Sequence, residues 1–548
     1  MNKFTNNFEI SSKVIYTFFS IYLILGLFIV PDYGISWDES ASRMYGFISG
    51  NYILEKFLPI DLYSKILNET ISTRFSELKN VEVPKLMEHG DKAYGVFLEL
   101  PLAFLELLFQ FNETKDVYLF RHYVNFLIFF TSVIFFYKYL NLFFENKFLS
   151  LLGCLFLILS PRIFAQSFYN SKDIIFLSFF IISNYCGFLL LKKKNLTSAF
   201  FFAFSVSALV SFRIIGLIVP ILFLILLSFE YFYLKKKFNF FKLFLITFSF
   251  FILITYFTWP FLWENPLNNF LFTINHFATR GHGIYMLYLG NSVDSTNLPW
   301  HYLFVWIIVT SPTHLTFFSF IGMILFLYNF FLINKNFKNI LFFHIFLILV
   351  IYLIVPVLIT IILEPHIYSG WRHFYFLLPF LILFSILALK IIFFSFNKRY
   401  IKLLTLFVLL ISISYNFIWN FNNHPYQYTY FNNIFFNKKT INYFERDYWG
   451  VSNKDLIDHV AKFDKNEKIY YEFNYEGSNF YLSLNGLSKL DRDRFINIRK
   501  MNKTSKYYYF FYNNVQNIPP EFLNKYKVIK EIKVDGVVIN GVYKIFIR

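Results

Sequence analysis

Apolar runs of about 20 residues, the length a helix needs to cross the hydrocarbon core of a bilayer, recur along most of this chain. They begin near Val14, Tyr118, Lys147, Asp173, Leu196, Ile214, Phe241, His301, Asn339, His373 and Tyr400. This pattern predicts an all-α polytopic membrane bundle of about eleven spans. Composition agrees, since 57% of the 548 residues are hydrophobic. A water-soluble fold cannot bury that much apolar surface. The stretch from Tyr94 to Phe111 is also apolar, but Glu99 and Glu106 interrupt it. It reads as a helix lying at the interface, with a twelfth span as the alternative.

The 81 Phe and 40 Tyr are accompanied by abundant Ile, Asn and Lys, the signature of an AT-rich genome rather than of an aromatic binding surface. The net charge of +17 is spread in small clusters between apolar runs. That distribution fits topology and lipid headgroups and argues against a nucleic-acid partner. Cys154 and Cys186 both fall inside apolar runs, so no disulfide framework is expected. No small-residue cleavage site follows the first apolar run, which therefore reads as an uncleaved first span.

Connector lysines set the orientation. Lys3, Lys13, Lys138, Lys147, Lys192–Lys194, Lys235–Lys237, Lys335, Lys338, Lys398 and Arg399 share one side, assigned to the cytoplasm with the N-terminus. The opposite side holds Asp38, Glu39, Arg162, Lys172, Asp173, Arg213, Arg280, Trp371, Arg372 and His373, set among Pro, Gly, Trp and Asn. Charge on the inner face looks topological, and charge on the outer face looks chemical. An odd number of spans places the C-terminus outside. Residues 1–419 thus form the membrane domain, with a first outer loop over about 31–92, and 420–548 form a small α/β extramembrane domain. In that domain Asn453–Phe463 reads as a helix, and Lys468–Phe473 and Tyr507–Tyr512 read as strands. Val528–Ile547 reads as a hairpin-rich end with turn signals at Asp535-Gly536 and Asn540-Gly541.

The first outer loop contains Ser36-Trp37-Asp38-Glu39 directly after a membrane helix. Adjacent carboxylates there suit a helix start, where the dipole favours negative charge. They also suit a general base with a partner carboxylate. Glu39 and Arg43, four apart, have the spacing of a helical ion pair that would leave Asp38 free.

With these residues in place, the chain resembles the GT-C superfamily of glycosyltransferases, in particular the protein O-mannosyltransferase and aminoarabinose-transferase-like branch. The resemblance is carried by Trp37-Asp38-Glu39, His89-Gly90-Asp91-Lys92, Asn170-Ser171-Lys172-Asp173, Trp259-Pro260-Phe261-Leu262-Trp263 and Gly370-Trp371-Arg372-His373. Leu298-Pro299-Trp300-His301-Tyr302, His424-Pro425-Tyr426 and Phe444-Glu445-Arg446-Asp447-Tyr448-Trp449-Gly450 add to it. Relatives often have Lys-Pro-Pro where this chain has Lys92-Ala93-Tyr94. The resemblance implies an inverting transferase of the bacterial inner membrane. Its donor would be a polyprenyl-phosphate sugar, and its acceptor a cell-envelope lipid, glycan or protein.

Asp38 is the expected base, with Glu39 beside it and Asp173 as an alternative carboxylate. Asp173 also has a plain reading as a helix cap or a salt bridge to Lys172. Lys92, Lys172, Arg372, His373, Arg43 and Arg213 are the expected donor-phosphate contacts, because fixed cations stabilise a leaving phosphate. Arg213 also reads as a plain interfacial anchor. No cofactor is expected. His366, His373 and Glu364 lie close in sequence, but no paired His or Cys spacing supports a metal. Trp259, Trp263, Trp300 and Trp306 fit an interfacial aromatic belt. A transporter of a lipid-linked or anionic solute is the competing reading, although its ionisable groups belong at the midplane and no internal repeat is visible. A non-catalytic scaffold is the third.

Overall fold

The computed structural model describes residues 10–74, 84–279, 283–333, 339–363, 365–432, 438–473, 480–500, 506–513 and 526–546. Lys3, Arg280, His282, Lys335, Lys338 and Glu364 lie outside them. The chain is an integral membrane protein built as a helical bundle with a small α/β tail. Among the described residues nine helices are long and apolar enough to span, a bent pair makes a tenth, and the span expected from Leu196 is a shorter apolar helix of 17 residues.

The bundle begins with α1 (Ser12–Ile29). The first loop carries α2 (Trp37–Phe57) and α3 (Ile60–Arg74), and then α4 (Glu99–Phe109). Next come α5 (Thr114–Phe144), α6 (Lys147–Ile158), α7 (Pro161–Tyr169), α8 (Asp173–Lys193) and α9 (Leu196–Phe212). Further spans follow at Ile214–Tyr233, Phe240–Thr258, Thr313–Phe331, Ile340–Ile362, Arg372–Ser395 and Arg399–Asn422.

Two breaks depart from the sequence reading, and proline marks both. The span expected from Lys147 is bent by 70° between α6 and α7. Pro161 stands at the first position of α7, where its missing N–H costs nothing but the preceding helix must end. The span expected from His301 begins instead at Thr313. Tyr302–Thr310 is a separate short helix, cut off before Pro312. The helix α4 has 11 residues and so reaches only about 16 Å, half a bilayer, which removes the twelfth-span alternative.

Charge, not hydropathy, fixes α4. Glu106 accepts from Arg43 Nε at 2.9 Å and Arg121 Nε at 2.7 Å, and Glu99 accepts from Arg121 Nη1 at 2.6 Å. This corrects the expected Glu39–Arg43 pair, because tertiary partners have taken both residues. Burial alone would raise the Glu106 carboxyl, but Arg121 and Arg43 outweigh it and hold it below its ordinary value. Glu106 and Arg43 are each 4% exposed, so Glu106→Ala removes the buried carboxylate that Arg43 faces and one of the two carboxylates on Arg121. We expect a loss of about 3–5 kcal/mol of stability, read as a lowered melting temperature in detergent.

The tail is a five-stranded mixed sheet in the order β4-β3-β5-β7-β6. Its strands are β3 (Ile469–Phe473), β4 (Phe495–Asn497), β5 (Tyr507–Asn513), β6 (Tyr526–Val534) and β7 (Val537–Phe546). A separate hairpin, β1 (Tyr285–Tyr288) and β2 (Asn291–Asp294), precedes them in the chain. The helix Asn453–Phe463 packs Leu456, Ile457 and Val460 into the core of the sheet. Asp535-Gly536 makes the β6–β7 turn with both residues at positive φ. Asn540-Gly541 does not turn. It sits inside β7, paired with Asn513 and Tyr512 on β5.

The tail is joined firmly to the first loop. His424 Nε2 lies 2.8 Å from Asp32, Tyr33 OH donates to Gln427 at 3.1 Å, and a Cβ on Gly34 would meet the Val451 carbonyl at 2.5 Å. Trp259 and Trp306 are buried rather than belt residues, whereas Trp300 is exposed.

Candidate active site

Helix starts bring the site together. Ser36 caps α2, and its N–H donates to Glu39 Oε1 at 2.6 Å. Glu39 Oε2 lies 2.9 Å from His122 Nε2 on α5, with both side chains buried. Glu39 is therefore the cap and anchor of α2, and its neighbour Asp38 is the carboxylate left at the surface of the site. Arg43 faces Glu106 and is not gathered with the phosphate candidates.

Asp38 Oδ2 accepts from Arg372 Nη1 at 2.8 Å. The same Nη1 lies 3.4 Å from Asp173 Oδ2, and Asp173 Oδ1 accepts from Arg213 Nη2. Asp173 thus pairs with two arginines and not with Lys172. Its backbone N–H and one carboxylate oxygen are both held by Asn170, at 2.8 and 3.1 Å. Asn170 also donates to Gln166, whose amide donates to Tyr375 OH at 2.8 Å. Arg162, Gln166 and Asn170 are four residues apart and form one polar face of α7 and its cap. The Pro161 bend is what turns that face toward the site.

Arg372 is set in an aromatic box. The rings of Tyr368, Tyr448 and Trp449 lie 4.6, 5.0 and 4.8 Å from its guanidinium. Lys172 Nζ lies over the stacked rings of Tyr45 and Tyr94, at 5.0 and 4.5 Å, and makes no ion pair among the described residues. Tyr45 in turn donates to Asp91 at 2.9 Å. Lys92 is turned to its own loop, donating to the Met87 carbonyl at 2.6 Å with its ammonium over Phe272. His373 meets Tyr368 edge-on and lies within electrostatic reach of Asp173, Arg213, Arg372 and Lys172.

Burial would raise the Asp38 carboxyl, and Asp173 adds to that. The Arg372 and Lys172 charges and the Arg372 hydrogen bond outweigh both and hold it below its ordinary value. A group shifted this way favours the folded state above its ordinary carboxylate value, and that gain is lost as pH falls through the lowered value. Asp38 therefore stays ionised across the neutral range. Any acid limb it gives a rate–pH profile should lie below about pH 4, checked by initial rates against pH.

Three cations, Arg372, Arg213 and Lys172, surround two carboxylates, Asp38 and Asp173. The cluster carries one excess positive charge and attracts a single anion. One cation, Lys172, is uncommitted, and the second oxygen of Asp38 is free to accept a proton. Sequence reasoning missed His122 and Arg121, whose only signal was a charged pair near the start of an apolar run. It also passed over Tyr448 and Trp449, whose rings wall the Arg372 guanidinium, although it had quoted their motif.

No family model matches this chain, and no curated protein matches it. Among solved structures it is similar to ArnT from Cupriavidus metallidurans bound to undecaprenyl phosphate, with a TM-score of 0.46 and 10% identity. That match covers 97% of this chain and 98% of the other. It is also similar to the Archaeoglobus fulgidus oligosaccharyltransferase tethered with an acceptor peptide, with a TM-score of 0.43 and 12% identity. There the match covers 74% of this chain and 55% of the other. The oligosaccharyltransferase AglB from the same organism, in complex with an inhibitory peptide and a dolichol-phosphate, gives a TM-score of 0.41 and 11% identity over 74% of this chain and 56% of that one. This chain thus spans a little over half the length of the oligosaccharyltransferases.

Proposed function

We propose that this chain is an inverting glycosyltransferase of the GT-C kind, moving a sugar from a polyprenyl-phosphate donor to a cell-envelope lipid, glycan or protein. The observation that carries the reading is the Asp38–Arg372 pair beside the uncommitted Lys172. A polyprenyl-phosphate sugar is a phosphodiester with one negative charge, matching the excess charge of the cluster. As the bond from the anomeric carbon to the phosphate oxygen breaks, the phosphate takes the electron pair and its charge approaches −2, near the value of any phosphomonoester at about pH 7. Lys172, Arg372 and Arg213 stabilise that growth of charge. The acceptor hydroxyl attacks the anomeric carbon from the opposite face, and Asp38 takes its proton through the free oxygen. A single displacement inverts the configuration.

The site lies at the ends of α2, α8, α9 and the Arg372–Ser395 span, opposite the connector lysines of α8 and its neighbours. On the positive-inside argument that end is the outer face of the inner membrane, with the tail also outside and the N-terminus in the cytoplasm. On this reading residues 1–419 form the catalytic membrane domain and 420–548 an extracytoplasmic α/β domain. A transporter of the same lipid-linked solute is the alternative.

Purified protein in liposomes, given undecaprenyl-phosphate sugars and an envelope-acceptor panel, separates the two. Donor consumption with sugar appearing on an acceptor supports the transferase. Passage of the intact lipid-linked sugar across the bilayer without donor consumption overturns it.

A further inference from the structure

A trough runs along the bundle where α5 and α9 both pack against α8. Its volume is about 880 Å³, inside the ~300–1,000 Å³ usual for small-molecule sites. Helical spacing puts Val124, Thr131 and Lys138 on one face of α5, and Cys186 and Lys193 on one face of α8. Thr131 and Cys186, with Ser198 and Ser205 on α9, are small beside the Phe, Leu and Ile around them, and their size leaves the hollow.

Charge is confined to one end of it. From Val124 to Lys138 is about 21 Å along α5, somewhat more than the ~15 Å half-thickness of the hydrocarbon core. Lys138 and Lys193 stand at the connector-lysine end, both exposed and without an ion pair among the described residues. Other lysines of that end are committed, since Lys194 and Lys236 both pair with buried Glu230. Lys138 Nζ lies over the ring of Phe135, a wall of the trough, at 5.2 Å. At the same end α9 begins, with Asn195 Oδ1 accepting from the Ser198 N–H at 2.9 Å, so the positive end of its dipole joins the two ammonium groups.

Rings close the other end. Phe97, just before α4, meets Phe179 and Phe204 edge-on at 5.9 and 5.2 Å. Lys172 lies a further ~10 Å along α8 from Phe179. The trough is therefore separate from the candidate active site. A polyprenyl tail hanging from that site meets the rings first and brings Lys138 and Lys193 no anion.

We propose that the trough holds a phospholipid of the cytoplasmic leaflet with an anionic headgroup, its acyl chain along α8 and its headgroup at Lys138 and Lys193. Apolar walls about one leaflet deep suit an acyl chain. Two uncommitted ammonium groups at headgroup depth suit an anion. A zwitterionic headgroup carries its own cation and gains less from them. The inference rests on the orientation given under the proposed function, because the lysine end must face the cytoplasm, and not on the transfer chemistry.

Native mass spectrometry of the detergent-solubilised protein, titrated with dioleoyl phosphatidylglycerol or dioleoyl phosphatidylcholine, tests this. Wild type is expected to hold one phosphatidylglycerol about tenfold more tightly than phosphatidylcholine. Lys138→Gln combined with Lys193→Gln should abolish that preference. Thr131→Trp, at an exposed position in the trough, should weaken both lipids. Elution volume and melting temperature check the folding of each variant. Equal affinity for the two lipids in wild type, a preference that survives the double lysine variant, or binding unchanged by Thr131→Trp in folded protein overturns the proposal. So does displacement of bound phosphatidylglycerol by equimolar undecaprenyl phosphate, which would make the trough the seat of a polyprenyl tail. Labelling of Lys192→Cys only by reagent added outside would reverse the orientation and overturn the proposal with it. No sugar donor enters these measurements, so a failure of sugar transfer is told apart from a failure of this site.

Discussion

Asp38→Asn is expected to lower the transfer rate by about 10²–10⁴ while donor affinity changes little. The substitution keeps the size of the side chain and its place at the second position of α2, so the Ser36–Glu39 cap and the Glu39–His122 contact should survive. What is lost is the proton acceptor. The amide oxygen can still accept from Arg372 but cannot take a proton from an attacking hydroxyl. The kinetic signature is a fall in kcat at nearly constant KM for the lipid donor. A general loss of folding would instead lower both binding and melting temperature.

Arg372→Gln is expected to be as damaging for a different reason. It removes a phosphate cation, which costs on the order of 10²–10³ in rate. It also leaves Asp38 and Asp173 facing each other without the guanidinium that lies 2.8 and 3.4 Å from them. With that cation gone, burial and Asp173 act on Asp38 with only Lys172 opposing, so the Asp38 carboxyl rises. The acid limb of the rate–pH profile should then move to higher pH, a shift that plain loss of phosphate affinity does not produce. Arg372→Lys should recover part of the rate and little of the geometry. A single ammonium does not span two carboxylates and fill a three-ring box as a planar guanidinium does.

Much of this arrangement was legible in the sequence, and the exceptions share a cause. Asp38, Lys172, Asp173 and Arg372 stood out because a charge between an apolar run and a Pro/Gly/Trp-rich turn has few structural uses. The topology argument then placed them on one face. Where local spacing was used to choose partners, tertiary contacts overrode it. Glu39 and Arg43 have the spacing of a helical pair, worth about 0.5 kcal/mol at best, yet buried His122 and Glu106 take them. Asn540-Gly541 has the composition of a tight turn, but it lies inside β7 and forms the last two pairs of the seven-residue ladder with β5. Arg162 was visible only as one more outer charge. Its place against Trp306, Phe431 and the Tyr430 carbonyl depends on the bend at Pro161 and on segments far away in sequence, and no local pattern reports either.

The central claim is that Asp38 and the Arg372–Lys172 cations act on one lipid phosphosugar. It is tested most directly by release of free undecaprenyl phosphate from an undecaprenyl-phosphate sugar by purified protein, followed with acceptor present. Wild type should release the lipid phosphate in step with sugar appearing on the acceptor with inverted configuration. Asp38→Asn should bind the donor and release almost nothing. Release that continues at the wild-type rate in Asp38→Asn, or a product of retained configuration, would contradict the account.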